Sequence, residues 1–440
     1  MKALLLRAAA HPRYSAAIRW GKLLSVIASA QMLIQGLGFL SGFLVIHMLS
    51  THEYGLYTLA YAMLGTITTL ADAGIGSGVM ASGGRVWQDR AALSGVLATG
   101  MSLRRKFALA TFAISLPVLL YMLVRHDAGW LTASLIILAL IPAFVAMLTQ
   151  DLLAVPLRLH QDVTPLQKND LLGNAGRLVI LAGGLFLFPI TVVAVLANGL
   201  PRIWANIQLR RMASRFVDLS APPDPVAQKE ILAIVKRTLP GTIYYCVSGQ
   251  ISVWLISIYG NTSSIAEIGA LGRLSALLTV LGAVWSTVVT PRFARLPANS
   301  KLLLSTFLKI FAAVTLLVIL VPALVYLFPT QVLYILGRSY ASLTTEVVLS
   351  ALGGCMSMMV GWLYAISLTR GWVMSPVISI TLSIVVQIVL ILLLNLSTTT
   401  NVLIYAILNS AWGLVMYSGY FFYKIAELRK QELAAAEPSA

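Results

Sequence analysis

Apolar runs of about 20 residues recur along nearly the whole chain, separated by short charged or Pro/Gly/Asn-rich breaks. A run of that length crosses the ~30 Å hydrocarbon layer as a helix. The pattern predicts spans over 22–49, 54–80, 103–124, 130–156, 165–188 and 190–210. Six more are predicted over 239–260, 263–290, 307–328, 346–369, 371–396 and 401–423. The alternating ten-residue strands of an outer-membrane barrel are absent from it. The longest polar break, 211–238, holds Ser220-Ala221-Pro222-Pro223-Asp224-Pro225 and leaves six spans on either side. The expectation is an all-α polytopic membrane protein with about 12 transmembrane helices in two six-helix lobes related by pseudo-two-fold symmetry. The lobes are drawn at 1–215 and 216–440, with 216–238 a cytoplasmic linker and interfacial helix. Ile231, Leu232, Ile234 and Val235 on one face, with Lys229, Lys236 and Arg237 elsewhere, suit a short helix lying in the interface before the seventh span. Glu53-Tyr54-Gly55 and Glu267-Ile268-Gly269 open the second span of each half, a weak internal similarity.

Composition removes the competing classes. Charged residues make up 10% of the 440 and hydrophobic ones 59%, whereas soluble domains carry about 25% charged residues. A soluble multidomain enzyme is excluded, and so is disorder, which needs low hydrophobicity. The formal charge of +16 is explained by position. With the N-terminus cytoplasmic, the inner connections and tails hold Arg85, Arg90, Arg104, Arg105, Lys106, Arg158, Arg210, Arg211, Lys236, Arg370 and Lys424 among others, and the outer ones hold Arg125 and Arg338. That asymmetry places both termini inside, and the basic residues lie beside anionic lipid, so nucleic acid is not a partner. Cys246 and Cys355 sit in apolar spans without a CxxC or histidine partner and read as small buried residues.

Polar residues inside the spans carry the candidate chemistry. A lipid-facing Arg at a helix centre costs roughly 2.5–3.5 kcal/mol, and Arg177, Arg202 and Arg273 each fall near mid-membrane. They should face protein or a water-filled cavity. Asp170, Asn174 and Arg177 share one stripe, as do Asn198, Arg202 and Asn206; Gln31, Gln35, Gly38 and Gly42 form another, and Glu346, Ser350, Gly353 and Ser357 a fourth. Stripes in both halves predict an internal aqueous cavity. Arg177 and Arg202 have carboxylates within reach and can equally pair structurally, whereas Arg273 has none on its stripe. Asp72, in Ala71-Asp72-Ala73-Gly74-Ile75-Gly76, fits either proton coupling or a salt bridge. No GxxxxGK[ST], HExxH or large soluble segment is present, so the chain is expected to be neither an enzyme nor a metal or nucleotide binder.

Three segments resemble a known family. They are Leu49–Tyr57 with Ala71–Gly76, Ile268–Leu271 through Val288-Val289-Thr290-Pro291-Arg292, and Gly337-Arg338-Ser339-Tyr340. The chain resembles the polysaccharide transporters, the Wzx-type lipid-linked oligosaccharide flippases of the multidrug/oligosaccharidyl-lipid/polysaccharide exporter superfamily. The resemblance implies alternating access that carries a polyprenyl-diphosphate-linked oligosaccharide (an exopolysaccharide, capsule or O-antigen unit) across the bacterial inner membrane. Substrate binding would fall to Arg177, Arg202, Arg273, Asn174, Asn198, Gln31 and Gln35. Coupling to a proton or sodium ion would fall to Asp72 and Glu267, with no other cofactor. Partners would be membrane lipids, the polymerase and glycan-assembly proteins. A cation-coupled multidrug exporter and a non-transporting scaffold of a glycan-assembly complex are the alternatives. The charge asymmetry makes a testable statement: a reporter fused after Ala440 that is active only in the cytoplasm should be active, and one inserted at 126–128 should be silent.

Overall fold

A computed structural model describes residues 29, 32–160, 162–276, 278, 289, 293, 296–297, 299–370, 372 and 374–436. Every element in them is helical, and eight helices are long and apolar enough to cross a membrane. The first elements are α1 (Met32–Met48), α2 (Thr51–Asp72), α3 (Ile75–Val86), α4 (Arg90–Arg125), α5 (Trp130–Leu159), α6 (Val163–Leu187) and α7 (Thr191–Ala213). They are followed by α8 (Pro225–Tyr259), α9 (Thr262–Ala276), α10 (Ser300–Leu327), α11 (Pro329–Leu336), α12 (Thr344–Thr369), α13 (Pro376–Leu393) and α14 (Thr399–Ala436). The predicted all-helical polytopic class is what the structure has. Gln31 and the segment Val288–Arg292, apart from Val289, lie outside the described residues.

The chain forms two compact units, but not with the boundary expected at 215/216. The first comprises 1–49 and 63–243, the second 50–62 and 244–440. The expected short interfacial helix is instead the beginning of α8, a single 35-residue helix containing Pro240. Its apolar face is where the sequence put it, but it is covered by protein: Ala227, Ile231 and Val235 join the core of the first unit with Ile75, Val79, Leu93, Leu97, Leu153 and Leu209. Glu230 accepts hydrogen bonds from Ser82 (2.9 Å) and Arg85 (2.5 Å), fastening α8 to α3.

The predicted span 54–80 is broken. Ala73 and Gly74 have φ of 46° and 88°, which no right-handed helix accommodates, so α2 ends and α3 starts anew. A side chain at Gly74 would also overlap Thr238, whose hydroxyl donates to the Ala73 carbonyl (3.0 Å). Asp72 Oδ1 accepts from the Gly76 amide (3.1 Å), so the carboxylate faces the positive end of α3.

In the second unit, aromatic packing forms the core at one end: Phe307 stacks on Phe421 at 3.9 Å between centroids, with Phe293, Trp362 and Leu363 around them. Arg370 closes this end by donating to the Phe293 and Leu296 carbonyls at 2.7 Å each. Toward the other end, the start of α2 packs on α9 through two reciprocal close approaches. A Cβ on Gly55 would lie 2.6 Å from the Thr262 carbonyl oxygen, and a Cβ on Gly269 would overlap the Thr58 side chain. These are the glycines of the two similar tripeptides, and each is needed by the helix that the other one opens. Gly269→Ala should therefore lower thermal stability in detergent by about 1–3 kcal/mol. Combining it with Thr58→Ala should recover part of that loss, and a simple sum of the two single losses would disprove the contact.

Candidate functional site

The first unit holds a connected set of charges drawn from five helices. Arg104 on α4 is 4% exposed. Its Nη1 donates to the Leu148 carbonyl on α5 (2.8 Å), and its Nη2 is bonded to Asp72 and lies 3.8 Å from Asp151. Asp72 is thus held by a guanidinium and by a backbone amide, the structural use that the sequence set against proton coupling. Asp170 on α6 accepts from Gln150 (3.2 Å), with Arg158, Arg202 and Asp151 near enough to act on its charge. Arg202 on α7 therefore lies near the Asp170 carboxylate of α6, where a cation costs far less than in lipid.

Arg177 is 7% exposed, and its Nε has no hydrogen-bond partner among the described residues. It is not joined to Asp170 in an ion pair there, although the two share a stripe. Asn174 turns back onto its own helix, donating to the Asp170 carbonyl (2.8 Å), and Asn198, fully buried, does the same with Ala194 (2.8 Å). Gln35 is exposed on α1. The first unit thus keeps Arg202 and Asp170 together, with Arg177 buried on the same helix as Asp170.

The second unit gives Arg273 a different setting. On α9 it is half-buried and bonds the Tyr54 hydroxyl, with the Tyr57 and Tyr61 phenols close by. Tyr54, Tyr57 and Tyr61 follow one face of α2 at helical spacing, with ring centroids 6.0 Å and 5.1 Å apart in succession. Tyr340 meets Tyr54 edge to face at 6.4 Å. Glu267, whose charge reaches Tyr340, accepts from Thr399 and, at 3.4 Å, from Ser263. Arg273 forms no ion pair with a carboxylate among the described residues. A cation ringed by neutral phenols retains its charge and can bind an anion that brings its own.

Parts of the segments behind the family resemblance lie together here: Tyr54 and Tyr57, Ile268–Leu271 with Arg273 just beyond, and Tyr340, whereas Ala71–Gly76 belongs to the first unit. Beside them a cavity of about 590 Å³ is lined by Gly272, Ser275, Ser350, Gly353 and Ser357 together with apolar side chains such as Ile268 and Leu349. Three residues of the predicted stripe on α12 therefore line a cavity. The fourth, Glu346, lies at the helix start and accepts from Thr400 (2.6 Å).

Some polar positions escaped the sequence reading. Arg104, read with Arg105 and Lys106 as the basic cytoplasmic end of the span 103–124, is buried within the 36-residue α4 and bonded to α5. Gln387, 6% exposed, donates toward Tyr244 (3.2 Å), Ser248 (3.2 Å) and Asn409 (3.3 Å). Its signal was a lone amide in an otherwise apolar span. Cys246 and Cys355 are buried and form no disulfide, as read from the sequence. No group of three or more His, Cys, Asp or Glu is placed to hold a metal ion among the described residues.

No protein-family profile matches this sequence, and no curated protein matches it. Solved structures do match. One is described as the inward-facing conformation of a multidrug resistance MATE family transporter of the MOP superfamily. It shares 16% identity, covers 92% of this chain and 96% of its own, and superposes with a TM-score of 0.61. A MATE in complex with MaD3S matches at 18% identity over 92% and 96%, TM-score 0.56. A MOP superfamily transporter from Pyrococcus furiosus, described as having a binding pocket of reverse polarity that suggests a different function, matches at 17% over 92% and 95%, TM-score 0.53. At such identities the likeness establishes the fold: this chain has the architecture of the MATE transporters along nearly its whole length.

The charge cluster in the first unit makes a stability prediction. Arg104→Ala leaves Asp72 facing Asp151 with no cation between them and should destabilise the protein by about 1–3 kcal/mol, the usual cost of stranding a partly buried polar partner. Asp72→Asn keeps an acceptor for the Gly76 amide and should cost less. Thermal melts in one detergent compare them with the double variant, and a double loss equal to the sum of the two single losses would disprove the ion pair.

Proposed function

We propose that the protein is a multi-pass membrane transporter of amphipathic solutes that works by alternating access. The observation that carries this reading is the fold, which follows MATE transporters over 92% of this chain and 96% of theirs. Ion-coupled export of amphipathic drugs is the specific activity these neighbours support best. We assign the chain no catalytic role.

Arg273 favours a second reading. Its partners are phenols, with no carboxylate paired to it among the described residues, and such a position suits an anionic headgroup better than a cationic drug. The reverse-polarity pocket described for the Pyrococcus furiosus transporter is a precedent for changed pocket charge on this fold. In this reading the substrate is a polyprenyl-diphosphate-linked oligosaccharide, flipped outward across a bacterial inner membrane and handed to a polymerase. Arg177, Arg202, Arg273, Asn174, Asn198, Gln31 and Gln35 are the proposed binding residues in this reading. Glu267 and Asp72 are the proposed groups for proton or sodium coupling, and Glu267 is the better placed because a hydroxyl rather than a guanidinium holds it.

One experiment decides between them. In cells lacking the protein, the leaflet distribution of polyprenyl-linked oligosaccharide is measured beside sensitivity to amphipathic cations. Accumulation on the cytoplasmic leaflet supports the flippase, and raised cation sensitivity with an unchanged distribution supports the exporter. No change in either would favour the scaffold and overturn the transport proposal. Arg273→Ala should reach the membrane in normal amount. It should lose about ten-fold or more of anionic-lipid transport, the worth of a charge-assisted hydrogen bond, and little cation export.

A further inference from the structure

Two cavities adjoin on the first unit, of about 480 Å³ and 420 Å³, sharing Met101, Arg105 and Arg210 in their walls. Neither includes any residue proposed above for substrate binding or coupling. Arg104 lines the first and Lys106 the second, so four cationic side chains face one groove. Arg105, Lys106 and Arg210 are exposed and form no ion pair among the described residues. Three carboxylates lie nearby. Asp72 is bonded to Arg104, and Asp151, largely exposed, lies 3.8 Å from it, so the charge of Arg104 is already balanced; Asp218, on the wall of the second cavity, accepts from the Ser220 amide (2.9 Å) and hydroxyl (2.6 Å). Those bonds hold its carboxyl below the usual range, so it is ionised and offsets one of the four cations.

Two buried polar atoms on residues of the first cavity lack partners among the described residues. Arg104 Nε is a donor with no acceptor. Asn206 Oδ1 is an acceptor with no donor, although its amide nitrogen is bonded to Ala146 and Thr149. An unmatched buried group costs about 1–3 kcal/mol, so a ligand able to satisfy both has free energy to gain.

The depth of the groove identifies the kind of ligand. After Lys106, α4 continues through 107–124 without a charge, 18 residues or about 27 Å at 1.5 Å each, close to the hydrocarbon thickness of ~30 Å. Arg104–Lys106 therefore stand at one hydrocarbon boundary and Arg125 at the other. The last turn of α7 supplies Arg210 at the first of these levels. Away from the arginines the walls become apolar, with Val145 52%, Ile207 47% and Leu109 72% exposed. A groove that is cationic at headgroup depth and apolar beyond it matches an amphiphile with a phosphate at one end.

We propose that this groove binds the phosphate-bearing headgroup of an anionic amphiphile in the cytoplasmic leaflet. Arg105 and Arg210 engage the phosphate, Arg104 and Asn206 its buried oxygens or hydroxyls, and Val145, Ile207 and Leu109 the first part of its chain. The proposal does not depend on which solute is transported.

Full-length protein in phosphatidylcholine nanodiscs is titrated with dioctanoyl phosphatidate, dioctanoyl phosphatidylcholine and inorganic pyrophosphate, and bound ligand is counted by native mass spectrometry. Phosphatidate should bind in preference to phosphatidylcholine, and more weakly as salt rises. In Arg105→Gln/Arg210→Gln its affinity should fall about 30-fold, while Arg429→Gln/Lys430→Gln on the C-terminal tail keeps it. Both substituted groove residues are exposed, so the melting temperature without ligand should not move; should it fall, Arg105→Gln alone carries the same test. Equal binding of the two lipids, or an unchanged preference in the groove variants, would overturn the proposal. Displacement of phosphatidate by pyrophosphate at matching concentration would overturn the amphiphile and leave a free-phosphate site.

Discussion

A helix interrupted inside a membrane frees backbone groups that the surrounding hydrocarbon cannot satisfy. The first unit is organised around meeting that demand at Ala73-Gly74. The Ala73 carbonyl is taken by Thr238 from α8, and the Gly76 amide by Asp72. The carboxylate so used is neutralised by Arg104 from α4, and the second nitrogen of that guanidinium is anchored on α5. One break in one helix thereby ties α2, α3, α4, α5 and α8 together. It also explains why the segment after the polar linker belongs with the N-terminal residues rather than with the half that follows it.

The two units treat buried arginine differently. In the first, Arg104 and Arg202 sit among carboxylates, and the whole set is close to electrically balanced. In the second, Arg273 is surrounded by phenols, which lend oxygen atoms without lending charge. Neutral partners solvate a cation while leaving its field largely intact. Where an anion is to be held and then released, that arrangement is the more useful of the two, because no carboxylate among the described residues forms an ion pair with the cation.

Much of the architecture was legible in the sequence. The all-helical class and most span positions among the described residues follow from hydropathy. What escaped was geometry that hydropathy averages away. A window across 54–80 cannot register two residues of positive φ, and apolar spacing in 229–239 cannot distinguish a helix covered by lipid from one covered by protein. The tyrosines of α2 were in plain view at helical spacing, but aromatic periodicity more often marks an ordinary core, and only the fold brings Arg273 against them. The burial of Arg104 was not legible, because three consecutive basic residues at the end of a span read as one solvated cluster, and only the fold turns the first of them onto α5.

The tyrosine face of α2 also bears on how the protein is made. Residues 50–62 belong to the second unit although everything else in that unit begins at 244. Tyr61 and Arg273 are separated by more than 200 residues of synthesis, roughly 10–40 s at 5–20 residues per second. For that interval α2 is in the membrane with a row of phenols and a bare glycine surface whose complement has not yet been translated. A ribosome that stalls, or a message that is cut, between the two leaves those surfaces open to any other chain nearby. The C-terminal half produced alone would be born without the groups that surround its own arginine.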